Sequence, residues 1–240
     1  MGQSFFIWNG IDCRNMGVIM RGPAAIIRAE ERIRHVEIPG VAGDLTETEG
    51  EDIYNSYIQT VSISVRGGFN VRNVYKWLRG SGYVTFSGEP DRRQAARVIG
   101  AITLNRISRN LDHWAGEVQF YCQPFKELIW PEVMTVSSEG GTVRNNGDVA
   151  SRPRITVNAV AAGSEITLTV NGEDFEIDLS GMADTGCVVD CAAMIVTNYA
   201  GTANLTKLST GDFPALLPGA NTIGGSGFAS LEIDKRERYL

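Results

Sequence analysis

The chain is poor in the residues on which most enzymatic and metal chemistry is built. Its 240 residues hold two histidines, His35 and His113, and four cysteines, Cys13, Cys122, Cys187 and Cys191. These six match no zinc or redox spacing, so the cysteines read as reduced, buried apolar residues, the usage of a protein made in a cytoplasm. There is no Gly-x-Ser-x-Gly elbow, no His-Glu-x-x-His and no phosphate loop. The glycine clusters at Gly67-Gly68 and Gly224 to Gly227 lack the lysine of a phosphate loop and read as turns. No apolar run approaches the length of a membrane span, so no membrane insertion is expected. The apolar start, Phe5 to Trp8, is too short for a signal sequence and has no basic flank. Gly2 lacks the Ser or Thr that a myristoylation motif places where Phe6 stands. No catalytic residue, cofactor site or metal site is assigned.

Charge is unevenly spread. Met1 to Trp130 carries a net +1 and Pro131 to Leu240 a net −7, within a formal total of −6. An acidic second half argues against a direct grip on nucleic acid, which needs Lys and Arg to neutralise phosphate. It leaves room for a surface that nucleic acid merely passes.

What the sequence does contain is alternation. From Arg28 to Ile38 one face carries Arg28, Glu30, Arg32 and Arg34, with Val36 and Ile38 near its end. The other face carries Ala29, Glu31, Ile33, His35 and Glu37. Tyr57, Gln59, Val61, Ile63 and Val65 share a face of a second run, with Thr60, Ser62, Ser64 and Arg66 opposite. Side chains alternate across a strand, so each set is one surface. The stretch from about 28 to 66 therefore reads as a long two-stranded arm, with the second run as its return strand. Such an arm is either an edge hairpin of its own domain or a clasp on a neighbouring subunit, because a lone hairpin is marginal in water. Arg28, Glu30, Arg32, Arg34, Val36, Ile38, Tyr57 and Gln59 are the candidate interface residues of that clasp.

Pro39 and Gly40 end the first run. The loop after them is acidic, with Asp44, Glu47, Glu49, Glu51 and Asp52. Counted as a calcium loop from Asp44, it puts Glu49 where glycine is required and Asn55 where a bidentate Glu is required, so it fails.

One helix is expected after Asn70, with Val71, Val74, Tyr75 and Leu78 as its apolar stripe and Gly80 as its stop. Strands are expected at Tyr83 to Phe86, Val98 to Leu104 and His113 to Cys122, the last with Trp114, Val118, Phe120 and Cys122 inward. Between Gln123 and Ala150, prolines, glycines, serines and asparagines accumulate as at a domain boundary. Beyond it, Asn171-Gly172 between two alternating runs signals a hairpin. Further strands are expected at Arg154 to Ala159, Cys187 to Val189, Ala193 to Val196 and Phe228 to Asp234, with another at Leu216-Leu217 ahead of a Gly-rich turn. Evenly spaced strands without helices suggest a β-sandwich.

Several short motifs, in order, resemble the distal tail protein (Dit) family of bacteriophages with long non-contractile tails. They are Trp8-Asn-Gly-Ile-Asp12 with Gly17-Val-Ile19, Arg28-Ala29 with Glu31-Arg32, and Ile38-Pro39-Gly40 with Gly43. Trp77-Leu78 with Gly80 and Gly82, Phe86 to Pro90, Phe120 to Phe125, and Asn145 to Asp148 with Pro153 continue the series. The resemblance implies a mainly β chain. An N-terminal tail-tube-like β-barrel or sandwich, 1–133, would carry one helix and a long belt hairpin at about 28–66; a C-terminal galectin-like β-sandwich would span 134–240. It implies a structural tail-tip component and not an enzyme: a homo-hexameric ring in which the belt embraces the adjacent subunit. The ring would join the tail tube protein to the tail-tip hub protein and to receptor-binding or baseplate proteins. DNA would pass through its channel without specific binding. It would belong to the virion tail tip and be assembled in the bacterial host cytoplasm.

The alternative is a carbohydrate-binding module of a tail or prophage adhesion protein. A sugar site offers an aromatic face beside convergent polar groups. Trp8, Trp77, Trp114 and Trp130 all lie in or beside the first half, leaving Tyr199, Phe213 and Tyr239 as candidates. Asp178 with Glu176, or Asp184 with Asp190, are the carboxylate pairs a glycosidase would need, and nothing in the sequence brings them together. Asn204-Leu-Thr206 matches a glycosylation sequon, without weight in a bacterial or viral protein.

Overall fold

The computed structural model describes residues 4–48, 50–107 and 112–240. Gly2 and Glu49 lie outside them. The chain is mainly β and divides into a first compact unit, which runs to Ile129 and takes in Leu240, and a second spanning Trp130–Tyr239.

The first unit contains β1 (Phe6–Trp8), β2 (Ile11–Asp12), β3 (Val18–Met20), β4 (Ile33–Glu37), β5 (Asp44–Thr48) and β6 (Tyr57–Val65). After them come helix α1 (Val71–Trp77), β7 (Ser81–Phe86), β8 (Arg92–Ile99), β9 (Leu104–Arg106) and β10 (Trp114–Leu128). An eight-stranded antiparallel sheet runs β2-β1-β7-β8-β10-β6-β3, with β9 also on β10. One face of it is the core, made by Val61, Ile63 and Val65 of β6 and Val118, Phe120 and Cys122 of β10. The N-cap Asn70 accepts a hydrogen bond from the Arg72 N–H at 2.9 Å and starts α1. The helix buries Val74, and Leu78 at its end, against this face. Tyr75, expected in the apolar stripe, is exposed instead. Trp77 takes that place, stacked on Phe6 at 5.5 Å and donating from Nε1 to the Trp8 carbonyl at 3.2 Å. Phe6, Trp8 and Phe120 complete an aromatic cluster with ring separations of 5.4 to 5.6 Å. Each such buried ring contributes roughly 1.5–3 kcal/mol. The strand expected over Val98 to Leu104 lies earlier, as β8, because the chain turns at Gly100 before β9 begins.

The second unit contains β11 (Val133–Ser137), β12 (Gly141–Asn145), β13 (Arg154–Ala159), β14 (Glu165–Val170), β15 (Glu173–Asp178) and β16 (Gly186–Asp190). They are followed by β17 (Ile195–Asn198), β18 (Ser209–Thr210), β19 (Gly219–Ser226) and β20 (Phe228–Asp234). They form two five-stranded sheets, β11-β20-β13-β16-β17 and β12-β19-β14-β15-β18. A core of alternating side chains, among them Ile155, Val157, Leu168, Phe175, Ile177, Leu231 and Ile233, lies between them. Asn171 (φ 54°) and Gly172 (φ 90°) make the tight turn between β14 and β15, as the type I′ geometry requires.

Two corrections concern this unit. The expected strand at Leu216-Leu217 is a single bridge from Leu216 to Ser151, and the strand is the glycine-rich segment that follows. Its glycines serve close approach, since a Cβ on Gly225 would fall 1.9 Å from the Thr167 carbonyl oxygen of β14. The division at Ile129/Trp130 falls within the Pro- and Gly-rich stretch that reads as a boundary, but β11 and β12 occupy its later part.

Candidate assembly surface

β4 and β5 form a two-stranded hairpin separate from the main sheet. Its register sets Ile33 against Thr48, Arg34 against Glu47, Val36 against Leu45 and Glu37 against Asp44. His35 Nδ1 and Thr46 Oγ1 approach to 3.5 Å. The hairpin is rooted by the Arg32 N–H on the Ile53 carbonyl and the Asn55 N–H on the Glu30 carbonyl, both 2.8 Å. Arg32 Nε donates to Asn55 Oδ1 at 3.2 Å, and Tyr54 packs edge-on against Phe125.

The arm is therefore real but shorter and differently closed than the sequence suggests. Its return strand is Asp44–Thr48, within the acidic segment that reads as a loop. Tyr57–Val65 pairs instead with β10 and β3, because its alternating Val61, Ile63 and Val65 are buried in the core of the unit. Arg28, Glu30, Arg32, Arg34 and Ile38 stand exposed on or beside the arm, and Val36 is half-buried. Tyr57 and Gln59 lie in the main sheet. Gln59 is buried. The Tyr57 hydroxyl donates to Gln94 Oε1 at 3.0 Å, and burial pushes its pKa up to about 12.

The geometry of the arm leaves contacts unmade. Val36, Ile38 and Leu45 form an apolar stripe on one face, with Leu45 49% and Ile38 43% exposed. Among the described residues no ion pair involves Arg28, Arg34, Glu37 or Asp44. The outer face of β6 and β10 is a second uncovered surface, with Thr60, Ser62, Glu117 and Gln119 at one end and the exposed pair Ile58 and Tyr121 at the other. Ser62 donates to Glu117 Oε1 at 3.3 Å across it.

Among the described residues no group of three His, Cys, Asp or Glu could hold a metal ion. Asp178 is exposed and held by its own turn, accepting from the Ser180 N–H at 2.8 Å. Asp190 is tied to Arg236 by two hydrogen bonds of 2.8 and 3.0 Å, which hold its carboxyl below the usual range. Of the candidate sugar-stacking aromatics, Phe213 packs on Phe175 at 4.8 Å, and Tyr239 is buried with its hydroxyl on Glu237 Oε2. Tyr199 remains exposed, but its hydroxyl is engaged by the Val157 carbonyl at 2.8 Å.

The fold of this chain, a helix-backed antiparallel sheet with a hairpin followed by a β-sandwich, is shared by a solved phage hub protein. The whole chain superposes on SPP1 Dit, a paradigm of the hub adsorption apparatus in phages infecting Gram-positive bacteria. The TM-score is 0.81 at 17% identity, covering 100% of each chain. A chain of the phage P2 baseplate in its activated conformation with Ca is similar at TM-score 0.50 and 6% identity, over 97% of this chain and 98% of that one. No protein-family model matches the chain, and no curated protein matches it significantly in sequence.

Proposed function

We propose that this chain is a structural hub of a phage tail tip: a distal tail protein whose copies close into a six-fold ring around the DNA channel. The observation that carries this reading is the end-to-end likeness to SPP1 Dit, uninterrupted across both units. The arm supports the ring. A hairpin with an exposed apolar stripe, whose Arg34, Glu37 and Asp44 make no ion pair among the described residues, fits burial against a neighbouring copy, and head-to-tail contacts of that kind close into rings. The first unit forms the ring, and the second, Trp130–Tyr239, is an outward-facing galectin-type sandwich. The ring joins the tail tube protein to the tail-tip hub protein and carries receptor-binding or baseplate proteins. It is a virion component assembled in the host cytoplasm, and its role is not enzymatic.

The outer face of β6 and β10, with Thr60, Ser62, Glu117, Gln119, Ile58 and Tyr121 and no Lys or Arg of its own, suits a channel wall that DNA slides past, since each Lys or Arg facing phosphate would add a counterion-release gain and slow passage. Arg28, Arg32 and Arg34 are accordingly directed to the neighbouring subunit or the ring exterior. Negative-stain imaging and light scattering of the purified protein test the proposal. Six-fold rings are expected; a monomer at micromolar concentration and moderate salt would overturn it.

A further inference from the structure

The sandwich of the second unit has four edge strands, and they are not equally protected. A bare edge presents unpaired N–H and C=O groups to any other chain, and folded proteins blunt such edges with charge, proline, brevity or cover. The β17 edge is covered by the segment after it: the Leu205 N–H donates to the Val196 carbonyl at 2.7 Å and the Asn198 N–H to the Ala203 carbonyl at 3.2 Å. β18 is only two residues long. β12 carries Arg144, and the carbonyl of that residue is occupied by Lys235 Nζ at 3.2 Å. β11 has none of these devices. Its sequence, Val-Met-Thr-Val-Ser, holds no charge and no proline, and its register with β20 runs unbroken from Val133 to Ser137. Among the described residues no backbone group of Val133, Met134, Thr135 or Val136 is bonded on the side away from β20. Val133 is 57% exposed, and Met134 is only partly buried against the core.

We infer that the β11 edge pairs antiparallel with the β11 edge of a second copy of this chain, about a two-fold axis at Thr135. The strand is suited to itself. In that register Val133 faces Ser137 of the second copy, Met134 faces Val136, and Thr135 meets Thr135. No like charges meet at the axis, and a Thr–Thr cross-strand pair is favourable. Met134 and Val136 extend the apolar row of each sandwich into the other, covering what Met134 leaves exposed. The two five-stranded sheets become one of ten. A contact of five residues per strand is small beside a stable interface of about 1,200–2,000 Å². It therefore gains strength when several copies are already joined, as in the proposed ring, where the contacts act together. The pairing rests on surfaces separate from the arm.

Two measurements on the full chain test it. In Thr135→Cys, mild oxidation should give a disulfide-linked dimer on a non-reducing gel, because directly opposed residues of an antiparallel pair lie within disulfide reach. Val160→Cys, exposed but off this edge, should remain uncrosslinked. By light scattering, Thr135→Lys should halve the mass of the wild-type assembly, since it places like charges at the axis. The inference is overturned if Thr135→Cys crosslinks no more than Val160→Cys, or if Thr135→Lys leaves the mass at the wild-type value. Failure of the ring reading looks different: a protein without rings in which Thr135→Cys still crosslinks, and in which Thr135→Lys turns a dimer into a monomer.

Discussion

The side chain of Asn9 occupies the space above Gly82. Asn9 Oδ1 accepts a hydrogen bond from the Tyr83 N–H at 2.9 Å, and a Cβ on Gly82 would fall 1.7 Å from that oxygen. Asn9 itself sits in the left-handed region, φ 49°, in the turn between β1 and β2. One residue thus makes the turn and ties it to β7. Gly82→Ala should displace the carboxamide and lower the stability of the first unit by about 1–3 kcal/mol. Denaturant unfolding monitored by tryptophan fluorescence checks this, and an unchanged midpoint would refute it.

The arm contributes little to the core of its own unit. Every residue of β5 is exposed, and β4 is exposed except for Val36. Replacing Ile33–Thr48 by a short Gly/Ser turn should leave the circular dichroism and unfolding midpoint nearly unchanged while abolishing ring formation. Rings formed by the shortened protein would show that the clasp lies elsewhere.

Acid should weaken the second unit through Glu237. Lys235 and Glu237 meet at 2.8 Å with both side chains 3% exposed. Burial pushes the Glu237 carboxyl up, but the Asn146 N–H, the Lys235 ammonium and the Tyr239 hydroxyl outweigh it, and the net pKa lies below the ordinary value. Burial pushes Lys235 down, and Glu237 with Glu132 outweigh that, so its pKa is raised. A depressed carboxylate pKa gives stability that is present above the unfolded value of about 4.3 and is lost as pH falls through the folded value. A raised lysine pKa gives stability present below about 10.4 and lost as pH rises through the folded value. The thermal midpoint should therefore be flat between these limits and fall on both sides. Glu237→Ala should cost about 3–5 kcal/mol at neutral pH, reduced by the remaining Glu132, and should flatten the acid limb.

The four cysteines should be unreactive in the folded protein. All are buried and free. Burial pushes Cys122, Cys187 and Cys191 up to about 12 and raises Cys13 as well. Since the thiolate is the nucleophile, a thiol reagent at pH 8 should titrate close to none in buffer and all four in denaturant. Fast labelling of one thiol without denaturant would reveal local opening at that strand.

Sequence showed best those elements whose local chemistry admits one conformation. Asn171-Gly172, the Asn70 cap and the alternating runs that became β13 and β20 needed no tertiary knowledge to place. It showed worst the strands whose pairing is decided elsewhere. Asp44–Thr48 looks like solvated loop because its acids face water on both sides of a hairpin that nothing among the described residues covers. Gly219–Ser226 looks like a turn because its glycines answer to the approach of β14 and not to an apolar face. Tyr57–Val65 has a clear pattern, but alternation does not name the partner strand, and β10 took the place assigned to the arm. Of the candidate interface residues, those from Arg28 to Ile38 fall on the arm; Tyr57 and Gln59 carry the same alternation and fall in the sheet.

The pairing of β11 with β20 and of β12 with β19 joins the first strands of the sandwich to its last. β12 has no neighbour until the chain through Ser226 is available and β11 none until it runs through Asp234, while the β14–β15 hairpin between them can form at once. Loop closure over most of a domain comes before the contacts that reward it, which places folding of such sandwiches on the order of milliseconds to seconds. During that interval an uncharged β11 is without its intrachain partner in every nascent copy. At high synthesis rates, yield should depend on temperature and on how quickly the closing strands β19 and β20, one for each sheet, arrive.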